Sequence, residues 1–518
     1  MTEEIELKLA LAPDALKRLQ RHPLLRSLAA GRRLRKAALQ STYYDTPDRK
    51  LAQRKIAFRV RSEGRRFLQT VKRPKAADLS GLQEVSEEEA ELPSAAPDPA
   101  RVSEPTAASV LAEPGVGEAL APVFETQVER HALPIRLIDS DVEVAFDQGR
   151  IILSNGQSRP ICEAEFELKS GRPERLVQLA ITLHEQVDFR LLSESKAARG
   201  YALADGRQPQ PANAERIDLP GTMTAGEALV AVARACLTQL QANERALLAG
   251  SIDPECMHQF RVAVRRLRAA LGAFRPIIAE TVLAELLDDL EWLQSGTGAA
   301  RDWDVFCLET LTPMLQRMPG DGGLRRLADR AEQRREAARA QALAVLQDRR
   351  YTTLLLRIVL LIQDRAWRKP VEPGELIAPA DEPGRVFAQR ELARRTRALL
   401  KRGRQRNEDD AASLHQLRIG CKKLRYIIEF FRSFLQKGTA REALEALKDL
   451  QDCLGSLNDA AVGQQLLEQA SGKAPRPGEA RALGLVLGWQ ASRIDQDLGR
   501  LKRAWKHSKR SLAPLTEG

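Results

Sequence analysis

The hydrophobic rhythm of the chain changes near residue 222. Before that point apolar and polar residues alternate in short runs: Ile5-Glu6-Leu7-Lys8-Leu9, Ile56 to Arg61, Phe67 to Lys72, Val142 to Phe146 and Ala164 to Lys169. A period of two predicts strands with one buried and one polar face. Asp78 to Gly81 and Asn155-Gly156 supply turn chemistry between strands. Pro93 to Pro122 is dense in Pro, Ala and Ser and reads as a loosely specified insertion with a short helix. Asp205 to Pro220 reads as a polar interdomain linker. After Thr222 the period becomes 3.6 and stays there, with breaks at Met318-Pro319-Gly320, Pro370 to Pro383 and Ser471 to Gly478.

The helical part repeats itself. His258-Gln259-Phe260-Arg261 recurs as His415-Gln416-Leu417-Arg418, an offset of 157 residues. The same offset carries Arg265-Arg266 onto Lys422-Lys423, Arg268 onto Arg425, Leu293-Gln294 onto Leu450-Gln451, Gly298 onto Gly455, Asp302 onto Asp459 and Val305 onto Val462. One constant offset over so many positions predicts two homologous helical bundles, about 222–370 and 384–510. At 100° per residue, His258, Arg261, Arg265 and Arg268 fall within an arc of about 80°. His415, Arg418, Lys422 and Arg425 do the same. Each helix therefore presents one histidine and three cations along a stripe; taken singly that is a solvated basic face, and its repetition with the histidine at the same position points to gripping an extended anion.

Charge sharpens this division. The net charge of +11 lies wholly after residue 220, since residues 1–220 hold 33 basic and 33 acidic side chains. Such asymmetry points to a polyanion-facing module joined to something else. The six cysteines are scattered, with no C-x-x-C pair, which suggests reduced thiols and no structural zinc. No run approaches the roughly 18 uninterrupted apolar residues of a membrane span. Met1-Thr2-Glu3-Glu4 is acidic where a signal peptide is basic, so secretion by that route is not expected.

In the alternating half the charges segregate. Alternation puts Glu4, Glu6 and Lys8 on one strand face, and Glu163, Glu165, Glu167 and Lys169 on another. Arg59 and Arg61 pair on a third, with Lys72 on the next strand. Taken singly, each is an amphipathic strand with a solvated face. Facing into a closed barrel, they would set carboxylates for a divalent metal opposite cations for phosphate.

Glu4-x-Glu6-x-Lys8 resembles the E-x-E-x-K signature of the CYTH superfamily, the triphosphate tunnel metalloenzymes. Ser41-Thr42-Tyr43-Tyr44-Asp45-Thr46-Pro47, Phe58-Arg59-Val60-Arg61, Thr70-Val71-Lys72, Glu163-x-Glu165-x-Glu167-Leu168 and Ser195-Lys196-x-x-Arg199-Gly200-Tyr201 resemble its other segments, in the family's order, over residues 1–204. The resemblance implies an eight-stranded antiparallel β-barrel whose lumen binds a triphosphate and Mg²⁺ or Mn²⁺. It implies Glu4, Glu6, Glu165 and Glu167 as metal ligands. Lys8, Arg59, Arg61, Lys72, Arg130 and Lys196 would be the catalytic cations. Where the family shows a basic residue ahead of glutamates, this chain has Val85 followed by Glu87, Glu88 and Glu89. Alternation selects Glu87 and Glu89, with Glu163, as further lumen acids.

Both copies of H-x-x-R-x-x-x-K/R-x-x-R resemble the hallmark of the CHAD domain, the conserved histidine α-helical domain, over 222–510. Arg301-Asp302-Trp303-Asp304-Val305 is similar to that family's R-D-x-D-V segment. The resemblance implies two four-helix bundles that bind polyphosphate through His258, Arg261, Arg265, Arg268, His415, Arg418, Lys422 and Arg425. Asp302 and Asp459 would cap a helix or orient these residues. The expected architecture is therefore α+β and multidomain: barrel 1–204, linker 205–221, helical domain 222–510. The expected activity is metal-dependent hydrolysis of inorganic triphosphate to pyrophosphate and phosphate. The alternatives are a thiamine triphosphatase, a class IV adenylate cyclase, or a non-catalytic polyphosphate-binding protein. Aromatics are only 4%, which argues against base stacking on nucleic acid. The expected location is the cytoplasm, with association with polyphosphate granules and no membrane partner.

Overall fold

The computed structural model describes residues 2–64, 66–75, 81–370, 377–407, 410–471 and 477–516. Most of the predicted turn at Asp78 to Gly81, and much of the predicted breaks at Pro370 to Pro383 and Ser471 to Gly478, lie outside the described residues. The chain divides into two compact units, Met1–Pro209 with Arg349–Asp364, and Gln210–Asp348 with Arg365–Gly518.

The first unit is a closed antiparallel barrel. Its strands are β1 (Thr2–Ala10), β2 (Arg35–Asp45), β3 (Ala57–Glu63), β4 (Arg66–Pro74), β5 (Leu82–Leu92), β6 (Ala121–Arg136), β7 (Asp141–Ile152) and β8 (Ser158–Ser170). They run in the order β5-β4-β3-β2-β6-β7-β8-β1, and pairing of β5 with β1 closes the ring. The two-residue β9 (Arg190–Leu191) adds to the end of β1. Every alternating run found in the sequence falls within a strand, except that Ile56 stands just ahead of β3. The unforeseen β6 contains Pro122 and Pro134, and prolines argue against a strand when read locally.

Alternation splits each strand between two environments. Glu4, Glu6 and Lys8 face the lumen, while Leu7 and Leu9 are fully buried on the other side, where the helix Glu174–His184 covers β1. Burying a leucine contributes about 1.5–3 kcal/mol. The apolar stabilisation of β1 thus lies outside the ring, which leaves its lumen face for charge. The segment 93–122 is not loosely specified, contrary to its composition. Its helix Pro105–Leu111 buries Ala107, Val110 and Leu111 against Leu51, Ile56, Phe58 and Val71. Lys196–Ala204 is a helix capped by Ser195, whose hydroxyl accepts from the Ala198 N–H at 3.1 Å. A Cβ on Gly200 would lie 2.2 Å from the Phe124 ring. Only glycine lets this helix sit close enough to direct Lys196 inward.

In the second unit the repeat is visible element by element. Adding 157 to the limits of Ala225–Leu248 lands within two residues of Gly384–Arg404, and Pro254–Ala273 maps likewise onto Ala411–Phe431. Glu280–Gly296 and Gly298–Val305 together map onto Lys437–Ala470, and Gly322–Gln347 maps into Pro477–Leu512. The expected linker is partly fastened. Ile217 and Leu219 are buried, and the Leu219 N–H donates to Ser433 Oγ at 3.2 Å. The range 222–370, expected to form the first copy, includes one helix that does not group with it: Arg349–Gln363 belongs to the barrel unit. Its buried side is apolar (Leu354, Leu355, Ile358, Val359) and packs on Glu174–His184. Among the described residues no helix is long and apolar enough to cross a membrane.

Candidate functional site

Barrel closure brings Asp147 of β7 and Glu163 and Glu165 of β8 together, with one carboxylate oxygen of each within 4.8 Å of the others. Asp147 and Glu163 are fully buried. Lys196 reaches all three, its Nζ 2.7 Å from Asp147, 2.5 Å from Glu163 and 2.9 Å from Glu165. Arg130 forks onto Asp147 at 2.7 and 2.6 Å and reaches Glu165 at 2.6 Å, and Arg199 pairs with Glu163. Burial would raise the Glu165 carboxyl, but Lys196, Arg130 and Lys8 outweigh it and hold it well below its ordinary range. Asp147 is lowered on the same balance, against burial, by Lys196 and Arg130. Three acids face three cations, so this cluster is neutralised from within.

The other half of the lumen is less settled. Glu6 lies directly opposite Glu167 across β1 and β8, and Glu4 lies opposite Val85 across β1 and β5. Lys8 pairs with Glu6 at 2.7 Å and donates to Gln83 at 2.9 Å. Lys72 lies 2.6 Å from Glu4 and 3.2 Å from Glu87. Burial raises the Glu4 carboxyl; Lys72 opposes the rise and Glu87 adds to it. Glu167 is raised by burial and then by Glu4, against the pull of the neighbouring Lys169. Hard oxygen donors crowded out of water fit a divalent cation, which would relieve their mutual repulsion. Arg59 lies 4.0 Å from Glu87 and donates to the Tyr43 hydroxyl at 3.4 Å, while its buried Nε has no hydrogen-bond partner. Arg61 contacts Glu89 at 3.0 Å and Glu63 at 2.9 Å.

Every lumen residue expected from the sequence therefore lies in the barrel, but in two groups. Glu165 sits with Lys196 and Arg130 rather than with Glu4. Glu87 and Glu89 face inward, as alternation required, while Glu88 turns outward to accept from the Ser103 and Glu104 N–H groups. Asp147 was missed. It stands one residue past the alternating run Val142 to Phe146, and extending that alternation by one would have found it. Arg199 lay inside a quoted motif but went unassigned. Lys196→Met should destabilise the barrel by about 3–5 kcal/mol, because it leaves buried carboxylates short of a cation, and denaturant unfolding measures it. Asp147 and Glu165 have folded values below their unfolded ones. Their contribution is therefore present above the ordinary carboxylate range and lost as pH falls through the folded values. The deficit of the variant should shrink on acidification.

In the helical unit, Pro254–Ala273 and Ala411–Phe431 pack together, with Arg265 Nε donating to the Tyr426 hydroxyl at 3.4 Å. The two predicted stripes thereby become one face. Burial, then Arg301, Arg265 and Lys422, push His258 down to about 4. Burial, then Arg418 and Arg265, pull Lys422 down to about 7. Arg261 and Arg418, equivalent under the repeat, each keep a buried Nε with no hydrogen-bond partner. Arg268 and Arg425 are braced alike, onto Gln294 at 2.9 Å and Gln451 at 3.3 Å. His415 Nδ1 lies 2.8 Å from Asn458 Oδ1. Asp302 lies within the helix Gly298–Val305 rather than at its cap, and its field acts on Arg261 and Arg418. Asp459 lies 3.7 Å from Arg418. Asp459 likewise lies within a helix, Lys437–Ala470, so neither acid is a cap.

Comparison with known proteins follows the same division. Residues 2–201 match the CYTH domain family model and residues 231–468 the CHAD domain model. An inorganic triphosphatase of Haemophilus influenzae is 36% identical over 207 residues, 39% of this chain and 55% of that protein. An uncharacterized protein of Mycobacterium tuberculosis is 29% identical over 248 residues, 46% of this chain and 45% of its own length. The chain thus spans about half the length of the curated relatives it matches. The crystal structure of the CHAD domain from the plant Ricinus communis is 31% identical with a TM-score of 0.49, covering 57% of this chain and 96% of that one.

Proposed function

We propose that this chain, which carries a CYTH domain at residues 2–201 and a CHAD domain at 231–468, is a metal-dependent inorganic triphosphatase whose helical half binds polyphosphate. The observation that carries the reading is a lumen in which crowded acids on β1, β5 and β8 face Arg59, whose buried Nε has no protein partner. The relative named as an inorganic triphosphatase supports it. Glu4, Glu6 and Glu167, with Glu87 beside them, would hold Mg²⁺ or Mn²⁺, which when bound supplies Lewis-acid polarisation of a phosphoryl oxygen. Arg59, Arg61 and Lys72 would grip successive phosphates and stabilise charge spread over the transferring group. Lys8, held raised by Glu6 and Glu165 against its burial, stays charged beside them. The Asp147–Glu163–Glu165 cluster would fix Lys196 and Arg130 at the far wall.

In the helical half, the shared face of Arg261, Arg265, Arg418 and Lys422 would take consecutive phosphates of a polymer, and the two orphaned arginine nitrogens support this. The domain limits that go with this reading are 1–204 and 222–510, the latter as two four-helix bundles. The protein would work in the cytoplasm, where its six free thiols suit reducing conditions, and its helical half would carry it to polyphosphate granules.

The test is phosphate release by the full chain from triphosphate, ATP, thiamine triphosphate and long-chain polyphosphate, with Mg²⁺, Mn²⁺ or EDTA. Release should be fastest from triphosphate and stop with EDTA. A faster reaction with thiamine triphosphate or ATP would reassign the substrate. No release from any of them would leave a binding protein.

A further inference from the structure

The helix Arg349–Gln363 lies between the two copies of the repeat and inside residues 231–468, yet it groups with the barrel, while Asp348 and Arg365 on either side group with the helical unit. Its first turn is fastened to the barrel's covering helix. The Arg349 guanidinium bonds the His184 carbonyl and lies 3.0 Å from Asp188. Both ring nitrogens of His184 lie 3.2 Å from carbonyl oxygens, those of Val187 and Arg349. The Thr352 hydroxyl donates to the Phe189 carbonyl at 3.3 Å.

The segment held in this way runs straight into β9. Leu191 and Arg190 pair with Leu9 and Ala10 of β1, and the Leu192 N–H donates to the Lys8 carbonyl at 2.9 Å. A strand of two residues has little ladder of its own and depends on what packs behind it. Hydrogen bonds therefore connect the helix, through Phe189 and β9, to the strand that carries Glu4, Glu6 and Lys8.

We propose that Arg349–Gln363 braces β1, with Thr352 and His184 as positioning residues that set Lys8 and Glu6 in register through β9. The barrel's reaction then depends on a helix encoded inside the C-terminal half. This rests on the triphosphatase reading of the lumen, where groups displaced by about 0.5 Å lose their productive geometry.

The test uses the full chain with His184→Leu and Thr352→Val combined, read by steady-state kinetics and by hydrogen exchange at the Leu192 amide. The expected result is a folded protein with kcat lowered about fivefold or more, KM within about twofold, and faster Leu192 exchange, since an interaction made mainly in the transition state is weakened. His184→Gln with Thr352→Ser, which keeps both polar groups, should restore both readouts. Unchanged kcat and exchange in the folded double variant would overturn the brace, as would an equal loss in the conservative pair. Should the double variant not fold, Thr352→Val alone against Thr352→Ser decides by the same two readouts. If the wild-type chain hydrolyses nothing, the triphosphatase reading falls, while Leu192 exchange still decides whether the helix holds β1.

Discussion

Glu4→Gln or Glu6→Gln should lower triphosphate hydrolysis by about two orders of magnitude or more while the barrel stays folded, because each removes one hard, charged oxygen donor at constant side-chain volume. The lumen tolerates these changes for a specific reason. Glu4→Gln leaves Lys72 with Glu87 at 3.2 Å, and Glu6→Gln leaves Lys8 with Gln83 at 2.9 Å and Glu165 at 4.0 Å. Neither cation is orphaned, so the large penalty for an unpaired buried charge does not arise. Turnover with metal in excess, beside thermal unfolding, measures both parts. Near-normal rates in both variants would remove these acids from the catalytic site. Arg59→Ala sets the contrast. It should leave Mn²⁺ binding almost unchanged and reduce kcat/KM, since on the proposed reading Arg59 would grip phosphate rather than hold the metal.

The second large effect belongs to the helical unit. Neutralising Arg261, Arg265, Arg418 and Lys422 together in a full-length chain that carries Glu6→Gln should abolish binding of long-chain polyphosphate. The supporting Glu6→Gln change keeps the barrel from consuming the probe. Wild-type binding should fall steeply with salt, as for other linear polyanions that shed counterions. Around neutrality its pH dependence should carry a contribution from Lys422. The sequence suggests tightening as pH falls through about 6.5, the ordinary histidine value, if His258 and His415 lie close enough to the phosphates to gain by protonation. The structure removes His258 from that expectation, because burial, then Arg301, Arg265 and Lys422, push it down to about 4, so it is neutral near 6.5.

Burial and the neighbouring cations pull Lys422 down to about 7, and phosphates bound around it on the proposed reading would push it back up. Binding would then take up a proton. Affinity should be flat below the free value and fall by up to about tenfold per pH unit above it. Lys422→Arg, always charged, should flatten the profile. Isothermal titration in buffers of different ionisation enthalpy counts the proton directly. A quadruple variant that folds and binds at wild-type affinity would sink the shared face, and an unchanged slope in Lys422→Arg would assign the titration elsewhere.

What the amino-acid sequence determined by itself is whatever has a short period. Alternation by two placed Glu4, Glu6 and Lys8 on one face, and chose Glu87 and Glu89 over Glu88 without any knowledge of the closure. The spacing of 157 residues located both histidine helices, and the equal offsets of their neighbours showed that whole copies were related. These signals are local, because the pleat and the helical turn repeat within a few residues.

The tertiary structure decided which faces meet. β1 joins β5 and β8 only on closure, and that step separates Glu165 from Glu4 and hands it to Lys196 and Arg130 together with Asp147. Two stripes became one face because Pro254–Ala273 packs on Ala411–Phe431, and burial there, with the like charges it brings close, moves His258 and Lys422 from their ordinary values. Arg349–Gln363 left its sequence neighbours for the barrel because its apolar side finds Glu174–His184. No periodicity within one segment records which distant surface will bury it, since that choice is made by packing between segments far apart in the chain.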